Sequence, residues 1–128
     1  MAKISRQRGI RFEREIAKLF RRWIPEAKRG MQYQQGVYAP DVWAEPYWIE
    51  CKYRTSEPSR NQLHTWMNRA IEESLWFRQD ECDPILVWRV ARQPIMVMSL
   101  TGNHSKRNIE TWQEFSDRMD IEHRVSDE

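Results

Sequence analysis

At 128 residues the chain has the length of one ordinary domain, and 31% charged against 40% hydrophobic residues is the balance of a water-soluble globular protein. No apolar run approaches the roughly 20 residues that span a bilayer, and no apolar segment follows the basic first residues as in a secretory signal, so an intracellular protein is expected. The net charge of +2 is unevenly spread: residues 1–35 carry ten Lys/Arg against Glu13, Glu15 and Glu26, residues 36–100 seven basic against nine acidic groups, and residues 101–128 four against seven. A basic end on a near-neutral body suits a phosphate-binding surface, although a charge run alone is equally a solvated helix face.

Ser5 to Ile24 is expected to be a helix stopped by Pro25. At about 100° per residue, Ile10, Phe12, Ile16, Ala17, Leu19, Phe20, Trp23 and Ile24 fall on one arc, with Arg11, Arg14, Glu15, Lys18, Arg21 and Arg22 opposite. Glu13 breaks this order, because it falls inside the apolar arc between Phe20 and Ile24. Short extended segments follow: strands are expected near Ala27–Gln32, Asp41–Glu45 and Tyr47–Tyr53, with a turn at Glu45–Pro46. Ser59-Arg60-Asn61-Gln62 has the spacing of a capping box before a helix with the stripe Leu63, Trp66, Met67, Ala70, Ile71, Ser74 and Leu75. The runs Ile85–Val90 and Ile95–Leu100 read as a hairpin, and 101–107 as a polar loop. Asn108 is the expected cap of a last helix that turns Ile109, Trp112, Phe115, Ser116 and Met119 inward, and residues 120–128 are expected to be a frayed acidic tail. The order α-β-β-β-α-β-β-α predicts one α/β domain over 1–128, a central mixed sheet flanked by helices.

The chemistry concentrates in Pro40-Asp41 and Glu50-Cys51-Lys52. Alternate side chains of a strand share a face, so Glu50 and Lys52 point together. A two-residue turn centred on Glu45–Pro46 sets Asp41 opposite Glu50; one centred on Pro46–Tyr47 sets it opposite Lys52 and suits proline's preference for the first central position. Either register puts Asp41, Glu50 and Lys52 on one face. Clustered carboxylates repel unless a cation sits between them, and magnesium prefers such hard oxygens. Asp41, Glu50 and the backbone carbonyl of Cys51 are therefore candidate ligands, and Lys52 a candidate to orient water and neutralise charge on a phosphate. A carboxylate on the apolar side of a helix costs several kcal/mol unless paired or metal-bound, which brings Glu13 into the same candidate site, an Arg partner being the alternative. Together these parts describe metal-dependent phosphodiester hydrolysis. Cys51 and Cys82 are the only cysteines, without CxxC spacing, and His64, His104 and His123 lack metal-ligand spacing, so no structural zinc is expected.

The run Arg8-Gly9-Ile10-Arg11-Phe12-Glu13-Arg14-Glu15, then Arg29, Pro40-Asp41 and Glu50-Cys51-Lys52, resembles the archaeal-type Holliday junction resolvases, a branch of the PD-(D/E)xK nucleases also found in some viruses. The resemblance spans residues 6–54 and is only topological beyond them. It implies a restriction-endonuclease-like core, Mg2+ or Mn2+ with no small-molecule cofactor, and a homodimer nicking two strands of a four-way DNA junction symmetrically. Glu13, Asp41, Glu50 and Lys52 match its catalytic positions; Arg14 and Arg29 match positions that handle DNA, and Arg8, Arg11 and Arg54 are further candidates for phosphate contact. The family's serine in the loop after the first strand has no counterpart, since 30–39 contains no Ser or Thr, and Gln32, Tyr33, Gln34 and Gln35 are the polar groups there. Gln62 is either the helix glutamine of that superfamily or the capping partner of Ser59. The alternatives are another PD-(D/E)xK DNA nuclease, of repair or restriction type, and a nucleic-acid-binding protein without catalysis.

Overall fold

The computed structural model describes residues 2–30, 39–78, 82–101 and 106–124, with the backbone alone for residues 2, 3, 77 and 78. Among the described residues nine elements follow in order: α1 (Ala2–Phe20), β1 (Lys28–Arg29), β2 (Val42–Ala44), β3 (Tyr47–Arg54), α2 (Arg60–Arg78), β4 (Asp83–Val90), β5 (Met96–Thr101), β6 (Lys106–Thr111) and α3 (Trp112–Glu122). The strands form one sheet in the order β1-β2-β3-β4-β5-β6. Only β3 and β4 run parallel, joined by the α2 crossover, and every other pair is antiparallel. This is the mixed α/β architecture expected from the sequence.

Strand alternation divides the core. Val42, Ala44, Ile49, Cys51, Ile85, Val87 and Val97 face α1 and α3, where they meet Phe12, Ile16, Phe20, Phe115 and Met119. Leu86, Trp88 and Met98 face Leu63 and Met67 of α2. The Glu50 face of β3 lies on the α2 side: Trp48, next but one before Glu50, packs with Ala70 and Cys82.

Four expectations need correction. The first helix ends at Phe20, and Trp23 lies beyond it in a turn closed by Trp23 and Ile24 N–H groups on the Phe20 carbonyl. From this turn the Trp23 ring meets Phe20, Trp112 and Phe115 at centroid distances of 5.5, 5.9 and 5.9 Å. Second, β1 is only Lys28–Arg29; Ala27 and Gly30 of the expected strand lie outside it, and positions 31–32 lie outside the described residues. Third, Asn108 is no cap: Lys106–Thr111 pairs with the full length of β5, so Ile109 is exposed rather than inward. Thr111 caps α3, its hydroxyl accepting from the Glu114 N–H while the Glu114 carboxylate accepts from the Thr111 N–H, a complete capping box. Fourth, the expected tail from 120 is helical through Glu122, and positions 125–128 lie outside the described residues.

Asp120 fastens α3 to the end of α1. Its Oδ1 accepts from Arg22 Nε and Trp23 Nε1, both at 2.7 Å, and its Oδ2 from Arg22 Nη2 at 2.9 Å. These bonds hold its carboxyl down from 3.8 to about 2. A depressed acid stabilises the fold above its unfolded value and loses that contribution as pH falls through the folded one. Asp120→Asn is therefore expected to lower the melting temperature at neutral pH, with the gap to wild type closing between pH 3.8 and about 2. Thermal melts across that window check it, and a gap independent of pH would contradict the linkage.

Candidate active site

Two elements set the carboxylates. Pairing of Val42 with Ile49, Trp43 with Trp48 and Ala44 with Tyr47 leaves Glu45–Pro46 as the two central turn residues and carries Asp41 opposite Glu50. The register favoured for proline at the first central position is thus not adopted; Pro46 takes the second, with a cis Glu45–Pro46 bond. Asp41 is just past the strand end, where its backbone N–H still bonds the Ile49 carbonyl at 3.0 Å. The chain then bends, and the next N–H of β3 on that side, Cys51, donates instead to Asp41 Oδ2 at 2.8 Å. A strand residue points its N–H and C=O the same way, so the Cys51 carbonyl also projects toward Asp41. The Cys51 side chain points into the core, where burial pushes the thiol well up, so the sulfur takes no part as a thiolate.

Asp41 and Glu50 stand opposite each other across the hairpin, close enough for their carboxyl groups to act on each other directly. Burial pushes the Glu50 carboxyl well above the usual range, the neighbouring Asp41 carboxylate adds to it, Glu73 of α2 adds more, and the Trp48 N–H opposes. Glu13 is half-buried on α1, and its carboxyl is raised by burial and then by Asp41, against the lowering pull of Arg29 and Lys52. Arg29 Nε donates to Glu13 Oε1 at 2.9 Å. Asp41 therefore stands between two carboxylates, Glu50 across the hairpin and Glu13 on the helix over the other sheet face.

A cleft of about 320 Å³ opens at this point, lined by Ser5, Arg8, Gly9, Glu13, Asp41, Cys51, Lys52, Tyr53, Arg54 and Thr55. Lys52 Nζ and the Arg54 guanidinium lie 5.7 and 4.9 Å from the Trp66 ring centroid, a stack that holds both cations beside the cleft. Of the candidate residues, then, Glu13, Asp41, Cys51, Lys52, Arg8 and Arg54 line one cavity, and Glu50 adjoins it through Asp41. Arg11 and Arg14 are exposed on α1, and Arg29 is engaged with Glu13, the Arg pairing named as the alternative for that acid. Gln62 is exposed at the start of α2, its backbone N–H on the Ser59 hydroxyl at 3.1 Å, which is the capping alternative. Gln32, Tyr33, Gln34 and Gln35 lie outside the described residues. Sequence reasoning read Trp66 as one more residue of the apolar stripe and passed over Glu73; their spacing of seven puts them on one stripe of α2, but only the packing of α2 aims that stripe at β3.

Among the described residues no three His, Cys, Asp or Glu side chains are gathered tightly enough to form a ready metal cage. The donor set still fits one hard cation. A carboxyl raised by burial and by a neighbouring carboxylate is relieved by positive charge beside it, and Asp41, Glu50 and the Cys51 carbonyl could supply the two or three protein oxygens that magnesium takes alongside water and phosphate.

Two substitutions probe this geometry. An acid raised in the folded state costs stability at every pH above its unfolded value, so metal-free Glu50→Gln should melt higher than wild type at pH 7, with the gap vanishing below 4.5. Melts in EDTA check it, and a lower melting temperature at pH 7 would show that the pair is not under repulsion. Gly30→Ala should impair folding and activity together, because a Cβ there would sit 2.0 Å from the Pro40 carbonyl oxygen while the Gly30 N–H holds the Asp41 carbonyl at 2.8 Å. A variant with wild-type melting temperature and cleavage would contradict that close approach.

No curated protein matches the chain. Among solved structures, the 1.6 Å structure of Archaeoglobus fulgidus Hjc, a Holliday junction resolvase from an archaeal hyperthermophile, is 20% identical, with a TM-score of 0.48 and coverage of 85% of this chain and 88% of that one. The family model described as "Phage putative PDDEXK endonuclease" matches residues 4–124, a span that holds Glu13, Asp41, Glu50 and Lys52. The chain belongs to that phage PDDEXK endonuclease family.

Proposed function

We propose that this endonuclease acts on DNA at four-way junctions, as a homodimer of single nuclease domains placing one nick in each of two strands, and that it requires Mg2+ or Mn2+. The observation that carries the metal requirement is the Asp41–Glu50 carboxyl contact beside Lys52. Asp41, Glu50 and the Cys51 carbonyl would hold the ion, with Glu13 on its α1 side. When bound, the ion supplies Lewis acidity toward a phosphoryl oxygen. Lys52, steadied over Trp66, orients the attacking water and offsets charge that develops on the phosphate. Arg8 and Arg54 at the cleft, with Arg11 and Arg14 on the exposed side of α1, grip flanking phosphates, so binding should weaken steeply with salt. The helix spans are too short or too polar to cross a membrane among the described residues, and the substrate places the enzyme in cytoplasm, that of the host for a phage gene.

Junction selectivity rests on the motif resemblance over residues 6–54. A second reading, cleavage of another DNA form by a repair or restriction-type enzyme, is favoured by two observations: Arg29 is spent on Glu13, and 30–39 lacks the serine of the resolvases.

One assay separates them. A labelled immobile junction and a linear duplex of equal length are incubated with wild type and Asp41→Asn, in Mg2+ or EDTA. Symmetric paired nicks in the junction, only with Mg2+ and only by wild type, are expected, while Asp41→Asn still binds the junction. Equal cutting of the duplex would install the second reading, and cutting in EDTA or by Asp41→Asn would remove the metal site.

A further inference from the structure

Each central carboxylate accepts an N–H from the scaffold of β3. The Trp48 indole Nε1–H donates to Glu50 Oε1 at 3.0 Å, and the Cys51 backbone N–H donates to Asp41 Oδ2 at 2.8 Å. Neither donor can swing away. The Cys51 N–H is part of β3, and the Trp48 ring is 1% exposed, wedged among Ala70 and Cys82 and edge-on to Trp43 at 6.1 Å. A buried tryptophan needs a partner for its N–H, and a buried carboxylate needs donors. Here strand parity makes them each other's: Trp48 is two residues before Glu50, so the indole lies under the carboxylate on the same face.

We propose that Trp48 is the positioning residue that makes Glu50 a one-oxygen ligand, and that it thereby selects a small six-coordinate cation over calcium. The inference rests on the metal-binding reading above and extends it to which ion is taken. An N–H seated on Oε1 competes with a cation for that oxygen and fixes the plane of the carboxylate. The Trp48 bond occupies Oε1 of Glu50, and the Cys51 bond occupies Oδ2 of Asp41. Magnesium and manganese accept this arrangement, because an octahedral ion takes single carboxylate oxygens and completes its shell with water. Calcium, with six to eight oxygens and frequent two-oxygen carboxylate binding, gains from a Glu50 free to turn both oxygens inward. A second-sphere donor of this kind typically changes metal affinity by about 10- to 100-fold.

Titration calorimetry of the full chain with MnCl2 alone and CaCl2 alone tests this without any turnover. Wild type, Trp48→Phe and Cys82→Ala are compared, the last thinning the packing around the indole while leaving its N–H. Trp48→Phe is expected to weaken Mn2+ about tenfold or more and to leave Ca2+ unchanged or tighter, so the preference narrows by that factor. Cys82→Ala should keep the wild-type ratio. Equal weakening of both ions, or the same narrowing in Cys82→Ala, would reduce Trp48 to packing and overturn the proposal. Wild type that binds Mn2+ while Trp48→Phe keeps the full preference sinks this inference alone, whereas wild type that binds neither ion sinks the metal reading with it. Should Trp48→Phe not fold, wild type gives an independent answer through the Trp48 indole 1H–15N signal. It should keep its hydrogen-bonded shift with saturating Mg2+, and loss of that shift would overturn the proposal.

Discussion

The contact between the carboxyl groups of Asp41 and Glu50 organises this molecule, and it is unfavourable on its own. Burial and mutual repulsion hold a proton on Glu50 far above its ordinary range, so the hairpin carries a local cost that packing elsewhere must offset. The cost is tolerated because the hairpin is locked by neighbours that leave no room to splay: Val42, Ala44 and Ile49 are sealed under α1, and Trp48 is sealed under α2. Asp41 is fixed further by its own backbone, with its N–H on Ile49, its carbonyl on Gly30 and its side chain on Cys51. A strained, over-determined arrangement of this kind is what a site prepared for a cation looks like before charge is neutralised.

Positive charge is distributed around the pair rather than inside it. Arg29 neutralises Glu13, while Lys52 and Arg54 are drawn over the Trp66 ring. Arg21 and Arg22 also have internal work, on the Ala27 carbonyl and on Asp120. The basic first third of the chain is thus divided: Arg21, Arg22 and Arg29 are structural, whereas Arg8 lines the cleft and Arg11 and Arg14 stand exposed near it in sequence. An electrostatic steering surface remains, smaller than the raw charge count suggests.

How much of this the sequence carried depends on whether the cause was local. Strand parity is local, so the shared face of Glu50 and Lys52 was legible, and so was Glu13 as a misplaced acid on an apolar arc. Register was legible only to two alternatives, because turn chemistry at Pro46 admits proline at either central position. Lys106–Thr111 was misread, its first two residues as polar loop and the rest as the cap and start of a helix, because an edge strand is defined by its partner and β5 offers the free row of backbone groups. The cap at Thr111 was hidden by the same error, since Asn108 has cap chemistry but the wrong position. The Trp48 N–H on Glu50 could be suspected from parity, but its donation depends on a rotamer fixed by α2, far along the chain. Arg29 entered as a position that handles DNA, and no local signal named it as the Arg partner of Glu13, which lies on another element.

The central claim is that Asp41 and Glu50 share one divalent ion. Anomalous diffraction from crystals soaked in Mn2+ measures this most directly. A single peak about 2.0–2.2 Å from one oxygen of each carboxylate, with the Cys51 carbonyl in the same shell, is the expected result. A map whose only peaks lie elsewhere, with the Asp41–Glu50 carboxyl contact still closed, would contradict it.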